Sequence, residues 1–183
     1  MSPGEEISVV VDSASRFEEQ LLPHMDAAYN LARHLTRNDH DAEDVVQEAY
    51  LRALRYFGAF RGENGRAWLL AIVSHTAFTS HRRNRLAVIT SEFNDELHSA
   101  AAEHEGPERD LEHRDSAARL ESALDQLHPR YREVLVLREL EGLSYEEIGR
   151  IVRAPAGTVM SRLSRARARL TAILNPDRGP SDE

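Results

Sequence analysis

The 183-residue chain has no cysteine, and not one of its 23 basic residues is a lysine. Without cysteine it can form no disulfide, thiolate zinc site or thiol redox sensor of its own. Without lysine it has neither a Schiff-base amine nor the phosphate-binding lysine of a P-loop. Long apolar runs are also missing. None approaches the ~20 residues that cross a bilayer, and the N-terminus lacks the basic-then-apolar order of a signal peptide. A cytoplasmic protein is expected. The length suits one medium domain or two small ones and excludes a large multi-domain enzyme. The 41% hydrophobic and 30% charged content is that of an ordinary soluble chain.

Charge is segregated beneath the formal net value of -8. Between Glu92 and Asp115 stand nine acids (Glu92, Asp95, Glu96, Glu103, Glu105, Glu108, Asp110, Glu112 and Asp115) against Arg109 and Arg114. From Gly149 to Asn175 there are six arginines and no acid, and from Gly65 to Ser91 four arginines, two histidines and no acid. Two basic segments flanking an acidic one fit localised polyanion contact. Charge alone fits solvated faces of differing sign equally well.

The apolar spacing predicts an all-α chain. From Ser15, Phe17, Leu21, Met25, Ala28, Leu31, Ala32 and Leu35 recur at helical intervals, with a break at Pro23. Asn38 or Asp39 can cap a second helix carrying Val45, Val46, Ala49, Tyr50, Ala53, Leu54 and Phe57. Gly58–Gly65 reads as a loop, and a third helix follows from about Arg66 to Arg83. Residues 86–115 lose periodicity and read as an acidic linker. Helices resume near Ser116, stop at His128, restart at Pro129 and turn at Glu141-Gly142. The expected organisation is two small helical domains, 15–85 and 116–175, joined by the linker and flanked by loose tails at 1–14 and 176–183.

Leu143–Leu170 is the most informative stretch. Ser144-Tyr-Glu-Glu147 has the form of a capping box, and Arg153-Ala-Pro155 separates its helix from a second one. On that second helix Val159, Leu163, Ala166, Leu170, Ile173 and Leu174 share a face. Thr158, Ser161, Ser164, Arg165 and Ala168 lie opposite, with Met160 and Arg162 at the edges. Small and hydroxyl residues around arginines permit close approach to a duplex, whose guanine edges arginine reads bidentately. This is a helix-turn-helix with a DNA-reading second helix.

Three segments occur in order: Asp41-Ala-Glu-Asp-Val-Val-Gln-Glu48, Arg66-Ala-Trp-Leu69, and Gly157-Thr-Val-Met-Ser-Arg-Leu163 with its continuation Ser164-Arg-Ala-Arg-Ala-Arg-Leu170. Over roughly Phe17–Leu174 the chain resembles the extracytoplasmic-function (group IV) sigma factors, which give bacterial RNA polymerase its promoter. The resemblance implies that the N-terminal domain binds core polymerase and opens the −10 element, and that the C-terminal domain reads the −35 element. It places Asp44, Gln47 and Glu48 on the clamp helices of the largest polymerase subunit; at i, i+3 and i+4 they share one side of a helix. It assigns capture of unstacked −10 bases to the loop Phe60–Asn64 and the third helix, with Arg61, Asn64, His75, Arg82 and Arg83 as candidates and Trp68 as core. It assigns −35 contacts to Thr158, Ser161, Arg162 and Arg165. His75 stands where asparagine is common in the family, and Met160 where lysine or arginine is frequent.

The resemblance further implies an anti-sigma protein that hides the polymerase-binding and DNA-binding faces. It gives the linker a path through polymerase near the RNA, although a merely solvated tether fits its composition as well. The sequence ends soon after the helix-turn-helix, so the extra C-terminal domain of some members is not expected. No catalytic residue, cofactor or metal is expected. His24, His34, His98, His104, His113 and His128 form no ligand cluster in sequence. A stand-alone helix-turn-helix regulator would leave the N-terminal motifs unexplained. A hydrolase using the acids near Asp41 would need an acid–base constellation that the sequence does not display.

Overall fold

The computed structural model describes residues 14–62, 64–90 and 109–176, with 81–90 and 109–115 taken at backbone level only. Among the described residues every regular element is helical. Helix α1 spans 14–21 and gives way at Pro23 to a 3-10 turn, Leu22–His24. Next come α2 (Met25–Thr36), α3 (Asp39–Tyr56) and α4 (Gly65–Thr90). The second half holds α5 (Arg109–Asp125), α6 (Pro129–Leu135), α7 (Tyr145–Ile151) and α8 (Ala156–Leu174). Helix α4 thus runs beyond Arg83 and α5 begins before Ser116, so helix occupies both ends of the span 86–115; most of the acidic segment lies outside the described residues. The expected tails lie outside them as well, except that α1 already begins at 14 and that Pro176 is a turn residue.

Local chemistry fixes most of these boundaries. Asn38 caps α3, its side-chain oxygen accepting the Asp41 amide at 2.9 Å. Ala42, Val45, Ala49 and Ala53 form the buried stripe of α3, and three alanines among four positions let α2 and α4 approach closely. His128 caps α6 from its ring nitrogen, with Pro129 in the first turn. After α6 the chain continues through a π-helical turn, Val136–Leu140, and reverses at Gly142, whose φ of 65° suits glycine.

The two halves pack directly on each other, α4 against α7 and α2 against α6, and share one apolar core from Phe17 to Ala166. Arg132 ties them together. Its side chain is 2% exposed, and it donates to the Leu124, Asp125 and Leu127 carbonyls at 2.9, 3.1 and 3.0 Å and to the His34 carbonyl at 2.8 Å. Three of those four oxygens lie within the last turns of α5 and α2, which have no intrahelical amide left to accept. Burial lowers the guanidinium to about 10, so it stays charged at neutral pH and meets the negative ends of two helix dipoles. Two further contacts cross the same seam: Ser74 on α4 donates to the buried Glu133 carboxylate, and Arg66 pairs with buried Glu141 while donating to its carbonyl.

Candidate partner and nucleic-acid interfaces

Three surfaces carry the residues singled out by sequence. The first is the outer side of α3. Because the alanine and valine stripe faces inward, Asp44, Gln47 and Glu48 are all exposed on the opposite side. Glu48 pairs with Arg52 at 2.7 Å, and Arg52 also donates to Thr76 Oγ1 at 3.3 Å, which anchors the strip to α4. Beside the strip lies a groove of about 610 Å³ between α1, α2 and α3, lined by Phe17, Met25, Tyr29, Val46, Gln47, Tyr50, Leu51 and Leu54. Leu54 is among the apolar positions by which the sequence marks this helix. It is nonetheless 57% exposed, as Leu51 is at 58%. Positions 44, 47, 48, 51 and 54 recur at helical spacing, so the leucines extend the polar strip with an apolar one that sequence reading missed.

The second surface is the loop after α3 and the start of α4. Phe60 stacks on Phe57 at 5.9 Å and lies 4.7 Å from Trp68, which is half-buried against these rings rather than inside the core. Asn64 is the N-cap of α4: its side-chain oxygen accepts the Ala67 amide at 2.9 Å and its amide donates to Glu147 of α7 at 2.5 Å. Arg61 is exposed at the rim of a cleft that also holds Phe60, Trp68, Glu147 and Arg150. His75 is exposed one helical face away. Arg82 and Arg83 fall on α4, in the stretch described at backbone level only.

The third surface is the helix-turn-helix. Ser144 accepts the Glu147 amide at 3.2 Å, and Glu147 accepts the Ser144 amide at 2.8 Å, so both arms of the capping box form. These bonds hold the Glu147 carboxyl below its ordinary value of 4.5. The stabilisation they give is therefore full above pH 4.5 and is lost as pH falls through the lower folded value. Ser144→Ala is expected to lose about 1 kcal/mol at neutral pH and less in acid, which urea melts at pH 7 and pH 4 would measure. The turn itself is tight. A Cβ on Gly149 would lie 2.7 Å from the Ala154 carbonyl, and Arg153 adopts φ 51°.

On α8, Val159, Leu163 and Ala166 are buried while Met160, Ser161, Ser164 and Arg165 are exposed, as the periodicity predicts. Thr158 is half-buried at the first turn, and its carbonyl accepts from Ser161 Oγ at 3.0 Å. The structure also separates the arginines of this helix by their partners. Arg167 pairs with Glu139 at 2.5 Å, and Arg169 lies over the Tyr131 ring at 4.8 Å. Arg162 and Arg165 have no carboxylate within ion-pair distance among the described residues. Arg162 is half-buried and shares a cleft with His75 and Glu133, whereas Arg165 points into solvent. The structure thus brings together Arg162 and His75, and Glu48 of the α3 strip borders a neighbouring cleft that holds His75 and Arg153.

Among the described residues no helix is long and apolar enough to cross a membrane.

Comparison with known proteins agrees with this geometry. The family described as Sigma-70 region 2 matches residues 22–87, and Sigma-70, region 4 matches residues 117–170. The chain is 35% identical to the ECF RNA polymerase sigma factor SigE of Mycolicibacterium smegmatis over 158 residues, covering 86% of this chain and 61% of that one. It is 34% identical to the RNA polymerase sigma-H factor of Pseudomonas aeruginosa over 167 residues, covering 87% and 86% respectively. Its fold resembles the Bartonella quintana sigma factor RpoE in complex with the anti-sigma factor NepR, with a TM-score of 0.71 and 30% identity over 89% of this chain and 99% of that one. It also resembles CnrH in complex with the cytosolic domain of CnrY, with a TM-score of 0.64, 27% identity, and 92% and 96% coverage. The chain belongs to the ECF RNA polymerase sigma factors.

Proposed function

We propose that this sigma factor is of the group IV type and works in the cytoplasm with no catalytic chemistry of its own. It binds core RNA polymerase, directs it to −10 and −35 promoter elements, and is held in check by an anti-sigma protein. The observation that carries this reading is the exposed Asp44–Gln47–Glu48 strip continued by Leu51 and Leu54, in a chain that also presents a DNA-reading α8. A stand-alone regulator has no use for such a strip. In this reading the strip seats on the clamp helices of the largest polymerase subunit. Asn64, Arg61, His75, Arg82 and Arg83 serve the −10 element; Thr158, Ser161, Arg162 and Arg165 serve the −35 element. That the Bartonella relative is seen with an anti-sigma factor supports the same kind of partner here.

Asn64 and Arg162 both face the opposite half in this structure. Reading two separated promoter elements therefore requires the halves to part, and the Asn64–Glu147 bond to break.

The function is tested by co-purification of the intact chain with bacterial core polymerase, where stable association is expected. Within α8, Arg165→Ala should lower −35-dependent transcription about tenfold, the loss of one good arginine contact to DNA, while leaving polymerase association intact. Unchanged promoter output would remove Arg165 from the reading face.

A further inference from the structure

A cleft of about 520 Å³ opens where α4 meets the helix-turn-helix half. Its walls come from both halves, so it exists only while they are packed together. Four arginines converge on it from four segments: Arg130 of α6, Arg150 of α7, Arg153 of the turn and Arg162 of α8, opposite His75 of α4. None of the four has a carboxylate within ion-pair distance among the described residues. Arg162 is half-buried and the other three are exposed; of the half-buried arginines elsewhere, Arg33, Arg52 and Arg66 pair with Asp39, Glu48 and Glu141, and Arg138 lies over the Tyr145 ring.

The one acid in the cleft is Glu133. It is 3% exposed, it already accepts from Ser74, and burial pushes its carboxyl upward. Arg162 and Arg130 lie within its electrostatic reach, and one carboxylate stands against four guanidiniums. Arg153 is also held at φ 51°, a left-handed backbone that favours glycine or asparagine over a long side chain.

We infer that this cleft binds a small anion bearing two or three linked phosphates, and that the ligand bridges the two halves in their closed arrangement. Forked guanidiniums match phosphate oxygens bidentately, and the volume lies within the range of small-ligand pockets. A duplex is too wide to enter a cleft of this size. A ligand held by both walls stabilises the closed form by mass action. Binding does not depend on the promoter-reading roles proposed above.

The experiment is calorimetric titration of the full chain with inorganic tripolyphosphate, beside monophosphate and a short single-stranded oligonucleotide. One site per chain is expected, with monophosphate at least about tenfold weaker, because it spans fewer guanidiniums. The Arg130→Ala, Arg153→Ala double variant should weaken tripolyphosphate at least about tenfold. An Arg16→Ala, Arg119→Ala double variant, which removes equal charge elsewhere, should bind as the parent does. All four side chains are exposed, and circular dichroism checks that each variant folds. Absence of binding at millimolar tripolyphosphate would overturn the inference. So would equal loss in the control variant, several sites per chain, or displacement of tripolyphosphate by low concentrations of the oligonucleotide.

Discussion

Replacing Gln47 and Glu48 together by arginine is expected to lower association with core polymerase at least about a hundredfold, since like charges brought face to face cost several kcal/mol. The change raises by three the net charge of a strip that now presents an acid, an amide and a second acid. Both side chains are exposed, so the fold should survive. Among the described residues the interaction lost is the Glu48–Arg52 pair, and a surface pair of this kind contributes at most about 1 kcal/mol. Binding should therefore collapse while the melting temperature barely moves. The neighbouring leucines set a second, smaller effect: Leu51→Ser and Leu54→Ser should each weaken association without loss of stability, since neither side chain is part of the core. Full binding by the double arginine variant would place the docking surface elsewhere.

Arg132→Ala is expected to destabilise the fold by about 3–5 kcal/mol, the range for removing one partner from a buried charged network. The guanidinium satisfies four carbonyls at once; those of Leu124 and Asp125 keep the Leu127 amide and Arg37 as donors, whereas those of His34 and Leu127, left buried without a donor, each lose about 1–3 kcal/mol. The Asp125 carboxylate, at 3.6 Å, is half-exposed and can turn to water, so the carbonyls dominate the loss. Arg132→Lys should recover less than half of it, because three donors on one nitrogen cannot reach four oxygens spread around a planar fork. Urea unfolding monitored by circular dichroism measures both. Because one acceptor is His34 on α2, limited proteolysis should also cleave the Arg132→Ala protein faster between its halves. A change below about 1 kcal/mol would mean that water or another donor replaces the guanidinium.

Local signals were the legible ones. Pro23, Asn38, Pro129, Gly142 and the Ser144–Glu147 box each act within a few residues, and each marks the boundary or turn that its chemistry predicts. The inward face of α8 was readable for the same reason. Long-range features were not. Arg132 sits in an ordinary amphipathic pattern, and only the arrival of the ends of α5 and α2 makes its burial favourable. Leu54 has the period of a core residue, yet α2 and α4 meet α3 on its alanine side, and nothing covers the leucine. The end of α4 was hidden by Val88, Ile89 and Thr90, β-branched residues that read against a helix. Among the sites, residue types and spacing located the strip and the reading face. They could not show that Arg167 and Arg169 are bound to Glu139 and Tyr131 while Arg162 and Arg165 have no ion pair among the described residues. Nor could they show that Asn64 caps α4 and reaches the other half.

The most direct test is transcription by core polymerase reconstituted with this chain on genomic DNA, with RNA 5′ ends mapped against core alone. The account predicts a new set of start sites sharing one −35 and one −10 element, and loss of that set with the Gln47/Glu48 double variant. An unchanged set of start sites, together with specific duplex binding by the free chain, would contradict it.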